Sequence, residues 1–234
     1  MLRHQQAANR TAATLANFGY RSTIVPLSKI KLSANPLPPG SFSGVILTSS
    51  IAAQTLQNMA AAAKLKNLPI YCVGQYTAES AELAGFTQIS AIQHDAHSLA
   101  AILEKFQPEQ SLLYACARNL SFDFAAHLTR YGIHCLNWEI YANELISPDI
   151  TQLASALKST DTVFLYSKRT ASHFFNLIKQ EKSIVQVPNS HAFITISSQV
   201  GQTVPRKFHA NTYIAHEKSE SGMIGCLSAI AQNE

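Results

Sequence analysis

The run from Ile70 to Phe86, IYCVGQYTAESAELAGF, holds the residues whose types and order could grip an anion. Ile70, Tyr71, Cys72 and Val73 are an apolar, strand-prone burst, and Gly74 breaks it. Gln75 and Tyr76 carry the turn, and Thr77 is placed to cap a helix through its hydroxyl, with Glu79 and Glu82 near the positive end of the helix dipole. Gly85 then stops the helix. A junction of this kind presents N–H groups and a hydroxyl at the carboxyl end of a parallel strand, where open α/β sheets bind anionic ligands. Alone, a Gly-x-x-Thr turn is more often just a cap and a tight turn. Its weight comes from similar junctions elsewhere in the chain.

Other chemistries find no residues here. Cys72, Cys116, Cys135 and Cys226 lie far apart without Cys-x-x-Cys or His/Cys ligand spacing, so they read as buried thiols in a reducing compartment, not as zinc ligands or a disulfide frame. His94 and His97 are near neighbours and read as a solvated loop pair. The sequence has no Gly-x-Gly-x-x-Gly and no Walker-type run, which argues against a nucleotide-sugar or cofactor-using transferase. Net charge is +4, and the bases are scattered, so a nucleic-acid partner is not expected, whereas a polyanionic small molecule suits the balance. Met1 to Tyr20 has no apolar export core and no long apolar span follows. The expectation is a cytoplasmic protein that neither leaves the cell nor enters a membrane.

The 234 residues, 47% hydrophobic and 14% charged, suffice for one large domain or two smaller ones. Ala7–Phe18 reads as a helix with Ala8, Ala12, Leu15 and Phe18 as its apolar stripe, and Arg21–Leu27 as a strand. The Pro-rich stretch Asn35–Gly40 reads as a junction between two bodies. Strand Gly44–Thr48, helix Ile51–Ala63 and the opening element follow; then a helix from Asp95 or Ser98 to Lys105, strand Ser111–Ala115 and helix Phe122–Arg130. This alternation predicts a parallel sheet with helices on its faces.

His134–Leu145, HCLNWEIYANEL, exceeds a mean strand and suits a segment crossing between domains. Asp149 or Thr151 then starts a helix to Ser159, and the first series plays again. Thr162–Ser167 with helix Thr170–Ile178 matches Gly44–Ser49 with its helix, and Ala192–Ile196 with a short helix to Val204 matches Ile70–Ala84. Strand Asn211–Ala215 and helix Ser219–Gln232 close the chain. The expected fold is α/β: two similar doubly wound parallel-sheet domains joined by a two-stranded linker. Residues 1–29 plus 146–234 form a discontinuous domain, 30–145 an inserted one, and the linker strands lie near 26–32 and 139–145.

In this order and spacing the motifs resemble the uroporphyrinogen-III synthase family over nearly the whole chain. The marks are Thr48-Ser49 before Ala52; Val73-Gly74-Gln75-Tyr76-Thr77-Ala78 with Gly85; Leu112-Leu113 followed by Leu128 and Gly132; Ile140-Tyr141; and Val163-Phe164-Leu165-Tyr166-Ser167 with Phe174. The resemblance implies two α/β domains joined by a two-stranded ladder. It also implies a cofactor-independent lyase of tetrapyrrole (heme) biosynthesis that cyclises hydroxymethylbilane to uroporphyrinogen III, inverting ring D and losing water. The linear substrate closes unaided to the uninverted isomer. Selectivity therefore calls for folding the substrate so that the substituted carbon of ring D attacks, through a spiro intermediate, and this is positioning more than acid–base strength.

By match to the family's motifs, Tyr141 is the candidate for helping the hydroxyl leave; as a bland alternative it packs on a linker strand beside Trp138. Eight substrate carboxylates call for amides, hydroxyls and a few cations. Ser49, Gly74, Thr77, Ser167 and Ser198 at strand–helix junctions are the candidates, with Lys168 and Arg169 as cations; helix caps and a solvated basic pair are the bland alternatives. Arg3 and Arg118 stand at similar junctions. No metal and no cofactor is expected, and a monomer is.

Three features depart from the family pattern: no strand precedes Arg3, Ser197-Ser198-Gln199-Val200 stands where a glycine and threonines are common, and Ile51 replaces a polar residue. The first predicts either a misassigned start or an unfilled edge of one sheet. A family member without activity and a two-lobed small-molecule-binding protein are the competing readings.

Overall fold

The computed structural model describes residues 1–106 and 108–231. Its elements, in chain order, are α1 (Gln5–Asn17), β1 (Ser28–Leu32), β2 (Phe42–Leu47), α2 (Ser50–Gln57), β3 (Pro69–Val73), α3 (Gln75–Leu83), β4 (Gln88–Gln93), α4 (Ala96–Leu103), β5 (Ser111–Ala117) and α5 (Phe124–Thr129). There follow β6 (Cys135–Leu145), α6 (Ile150–Lys158), β7 (Thr162–Leu165), α7 (Lys168–Gln180), β8 (Ala192–Thr195), α8 (Ser198–Gly201), β9 (Thr212–Ile214) and α9 (Glu220–Ala231). The chain divides into two compact units, Ile30–Asn143 and Met1–Lys29 together with the chain from Glu144 onward. Both boundaries fall inside strands, β1 and β6.

The Ile30–Asn143 unit is built on a sheet of order β1-β6-β5-β2-β3-β4, in which β4, β3, β2, β5 and β6 run parallel. Successive residues of a strand point to opposite faces, so a sheet covered on both sides needs unbroken apolar runs. The run Gly44–Leu47 meets that need: Val45 and Leu47 pack with α2 and α3 residues Ala52, Leu56, Ala78 and Ala81. Ile46 packs on the other face with Leu99, Leu103, Phe124 and Leu128 of α4 and α5. At Gly44 a side chain cannot fit, because a Cβ there would stand 2.6 Å from the Tyr71 ring and 3.0 Å from the Pro69 carbonyl oxygen.

In the other unit β7, β8 and β9 form a parallel sheet. Val163, Leu165 and Phe193 pack with Leu153 and Leu157 of α6 and Phe174 and Leu177 of α7. Phe164 and Ile194 face Leu15 of α1 and Met223 and Ile224 of α9. Met1 and Leu2 lie extended: the Met1 amine donates to the Thr23 carbonyl (2.6 Å), and the Val25 and Leu27 amides donate to the Met1 and Leu2 carbonyls (3.0 and 3.1 Å).

Several local expectations need correction. Phe18 is not in the stripe of α1; it caps the helix and is 61% exposed, while Ala7, Ala8, Thr11 and Leu15 are buried. Arg21–Leu27 forms no regular strand; the strand begins only at Ser28. The helix after β2 stops at Asn58, and a 3₁₀ turn over Ala60–Leu65 replaces its second half. The Pro-rich stretch lies inside the Ile30–Asn143 unit, where Asn35 donates to the Glu139 carbonyl and accepts from the Trp138 indole. Strand β4 has no counterpart in the sequence reading. The last predicted residue of the closing helix, Gln232, lies outside the described residues. The four cysteines are free and buried, and burial pushes the thiols of Cys72, Cys116 and Cys135 up to about 12.

Candidate functional site

In a sheet wound on both faces, ligand groups collect at the carboxyl ends of adjacent strands whose connections leave to opposite faces. In the Ile30–Asn143 unit that pair is β2 and β5, since β2 runs on into α2 on one face and β5 into α5 on the other. Thr48 and Ser49 follow β2, and Arg118 follows β5. Tyr141, on β6, is paired with Ala117 at the end of β5. The topology thus gathers residues from three separate parts of the chain.

Ser49 caps α2, its Oγ accepting from the Ile51 amide at 3.2 Å. The Tyr141 side chain is buried, and burial raises its phenol above the ordinary value, with the neighbouring Ser49 hydroxyl pulling the other way. Beside it, the Thr48 Oγ1 and Tyr114 hydroxyl are 2.9 Å apart. Burial pushes Tyr114 up to about 12, against the pull of the Thr48 hydroxyl. Both phenols therefore stay protonated at neutral pH and are available as donors. Arg118 donates from Nε to Glu139 Oε1 at 3.1 Å, an oxygen that also accepts from Ser33 Oγ at 2.8 Å, and its amide donates to the Tyr141 carbonyl at 2.8 Å.

At the end of the adjacent β3, Gly74 adopts φ +84°, opens α3 as its N-cap and donates its N–H to the Gln93 carbonyl at 2.7 Å. Thr77 does not cap the helix. It is the third residue of α3, buried, and the cap position has no side-chain bond, because the chain enters α3 directly at Gly74. Glu82 accordingly falls near the end of α3, away from the positive pole of its dipole.

In the other unit Ser167 caps α7, accepting from the Thr170 amide at 3.1 Å and donating to Thr170 Oγ1 at 2.9 Å. Lys168 and Arg169 are the first two residues of α7 and are exposed. Arg3 lies with its guanidinium 4.1 Å from the ring centre of Tyr166, the residue before Ser167, and reaches Glu220 and Thr11 at 3.4 Å. Burial raises the Tyr166 phenol, and the Thr11 hydroxyl opposes the shift. Ser198 opens the four-residue α8 at the end of β8, exposed, while Ser197 at the cap position makes no capping bond. Ser49 and Tyr141 thus meet in one unit, with Gly74 at the end of β3, the strand beside β2; Ser167, Lys168 and Arg169 follow Tyr166 in the other, and Arg3 lies over the Tyr166 ring.

Sequence reading gave no site role to Tyr114 or Tyr166. Both stand in apolar runs, SLLYACA and VFLYS, where a tyrosine is indistinguishable from core; the only signal is its closeness to the strand's carboxyl end. No cluster of His, Cys, Asp or Glu among the described residues could hold a metal ion, and no described helix is long and apolar enough to cross a membrane.

Mixed α/β architecture with parallel-dominated sheets, carrying helices against their strands, is the class of protein that the fold defines. The sequence model of one family, described as uroporphyrinogen-III synthase HemD, matches residues 9–225. The chain belongs to the uroporphyrinogen-III synthase family. Its fold is similar to that of the uroporphyrinogen-III synthetase of Helicobacter pylori, at 20% identity and a TM-score of 0.64, with 90% of this chain and 93% of the other covered. A mutant uroporphyrinogen III synthase of Thermus thermophilus is similar over 100% of both chains, at 13% identity and a TM-score of 0.55. No curated protein matches the sequence.

Proposed function

We propose that this chain acts as a uroporphyrinogen-III synthase in tetrapyrrole biosynthesis, closing hydroxymethylbilane with inversion of ring D and loss of water. The family match over residues 9–225 carries the reading. In this account the enzyme is a cofactor-independent lyase, monomeric and cytoplasmic, made of two similar α/β domains. The passage of both β1 and β6, neighbours in one sheet, through the unit boundary supports a two-stranded linker between them.

Tyr141 is the proposed donor to the departing hydroxyl. Burial keeps its phenol protonated, so a proton is available where the C–O bond breaks and water leaves. Substrate carboxylates are taken by the junctions at Ser49 and Gly74 in one unit and at Ser167, Lys168, Arg169 and Ser198 in the other. Lys168 in the first turn of α7 sets a cation against that helix's own dipole, an arrangement that an incoming carboxylate relieves. The role of Thr77 is to hold the first turn of α3 against the core, with the Gly74 junction making the contact.

The test is to give the purified protein freshly generated hydroxymethylbilane, oxidise the products and separate the porphyrin isomers. The type III isomer in excess over the unassisted reaction is expected. Type I alone would overturn the proposal.

A further inference from the structure

Strand β6 carries an irregularity beside Tyr141. It pairs with β5 from Leu112–Cys135 to Cys116–Glu139, and the next partners are Ala117 and Tyr141, so Ile140 is an extra residue, a β-bulge. Tyr141 and Ala117 belong to one core cluster with Ala52, Ala53 and Leu56 of α2, whereas Cys116, the partner of Glu139, packs with Phe124 and Leu128 of α5. Cross-strand partners share a face, so the bulge sends Glu139 and Tyr141 to opposite faces at the end of β5.

The backbone around Glu139 is held in place. Its carbonyl accepts from Asn35 Nδ2 at 3.0 Å, the Ile140 carbonyl accepts from the Ser33 amide at 2.9 Å, and the Asn35 carbonyl accepts from the Trp138 indole at 3.2 Å. On this frame the Glu139 side chain is 27% exposed, and its Oε1 accepts twice, from Ser33 Oγ at 2.8 Å and from Arg118 Nε at 3.1 Å. The Arg118 side chain is 54% exposed. Among the described residues its Nη1 and Nη2 meet no partner, while its backbone amide is tied to the Tyr141 carbonyl at 2.8 Å.

A guanidinium bonded through Nε alone keeps its far edge open, two parallel N–H groups wide, and that edge matches both oxygens of a carboxylate. An arginine free to change rotamer loses conformational freedom when it binds, and a partner that fixes it beforehand removes that cost. A half-exposed ion pair adds little to stability. What this one does is set a direction.

We propose that Glu139 is a positioning residue: seated beside the bulge and shared with Ser33, it holds Arg118 so that the Nη1–Nη2 edge receives one carboxylate of the polycarboxylate substrate. The identity of that substrate rests on the synthase reading above; the chemistry requires only an organic polycarboxylate.

The experiment titrates the full chain with the octacarboxylate porphyrin obtained by oxidising the product, followed through the porphyrin's own fluorescence anisotropy. Arg118→Lys keeps the charge and loses the fork, and is expected to raise Kd roughly tenfold, the worth of a charge-assisted hydrogen bond. Glu139→Ala is expected to raise it by a similar factor, and Glu139→Gln, whose amide oxygen still accepts from Ser33 and from Nε, to recover most of the affinity. The double variant Arg118→Lys with Glu139→Ala is expected to bind no more weakly than Arg118→Lys alone, because a residue acting through Arg118 then has nothing left to act on. In parallel isomer assays KM rises by the same factors and kcat stays within about twofold. A native chain that does not bind the porphyrin, a Kd untouched by Arg118→Lys, or losses that add in the double variant would each overturn the proposal. If Glu139→Ala lowers the denaturation midpoint, Arg118→Lys and Glu139→Gln decide. Type I product alone, with this Kd pattern intact, would sink the synthase reading and leave the carboxylate fork standing; type III product with a flat Kd pattern would do the reverse.

Discussion

Thr48 and Tyr114 meet oxygen to oxygen at 2.9 Å, joining the end of β2 to its neighbour β5 at the point where the two strands send their helices to opposite faces. This bond fixes the residue directly before Ser49. Tyr114→Phe is expected to cost roughly 1 kcal/mol of stability, the loss of one partly buried hydrogen bond. If the junction positions substrate, turnover falls further than that loss of folding explains. Chemical denaturation alongside steady-state kinetics separates the two effects; a variant with full turnover would show the bond to be purely structural.

Tyr141→Phe removes the hydroxyl and keeps the ring that packs in the core. A fall in kcat on the order of 10²-fold, with little change in the denaturation midpoint, is expected for a proton donor at the leaving hydroxyl. Unchanged kinetics would remove Tyr141 from the reaction.

Ser167 and Lys168 can be told apart by what each change does. Ser167→Ala deletes a cap and is expected to lower stability by about 1 kcal/mol. Lys168→Gln should leave the denaturation midpoint unchanged or slightly raised, because it removes a cation from the positive end of α7, while KM for the polycarboxylate rises. A KM unaffected by the lysine change would return Lys168 to the solvated surface.

Gly74→Ala tests the turn in front of α3. With φ at +84°, an L residue is strained, yet a Cβ would find only Thr77 Oγ1 at 3.9 Å, so conformation and not crowding sets the cost. The expected loss is about 1–2 kcal/mol, read as a lowered Tm. A neutral substitution would mean that the turn relaxes without harm.

His4 should make stability depend on pH. It caps α1, its Nδ1 accepting from the Ala7 amide at 3.5 Å, and burial first, then Arg3 and Arg10, pull its pKa from 6.5 to about 4. Above pH 6.5 the imidazole is neutral in both states. Between 6.5 and about 4 the unfolded chain binds a proton that the folded chain refuses, so stability falls as pH falls across that window, and the contribution is gone below it. His4→Asn supplies a cap that does not titrate, and denaturation midpoints measured from pH 7 to 4 should then fall less steeply.

The alternation of apolar bursts, glycine stops and capped helices made the parallel α/β character legible, because each burst such as VIL or VFL is buried on both faces of a sheet. Strand β4 was not legible. QISAIQ alternates polar and apolar residues at a sheet edge, and its neighbours supply only one partner strand. The helix after β2 ran too long in the reading because its alanines continue past Asn58, where no glycine or proline marks the stop. Ser49 and Ser167 were readable as caps because a hydroxyl before a helix has a local partner. The pairings of Arg118 with Glu139, Arg3 with Glu220 and Thr48 with Tyr114 join residues remote in sequence, and only the tertiary packing brings them together.

Burial of the thiols supplies a ready-made reporter of how the protein opens. Cys72, Cys116 and Cys135 belong to the Ile30–Asn143 unit, and Cys226 belongs to the other. An alkylating reagent can reach each sulfur only after its own unit loosens, so peptide mass spectrometry of labelling rates would time the opening of the two units separately in the unaltered chain.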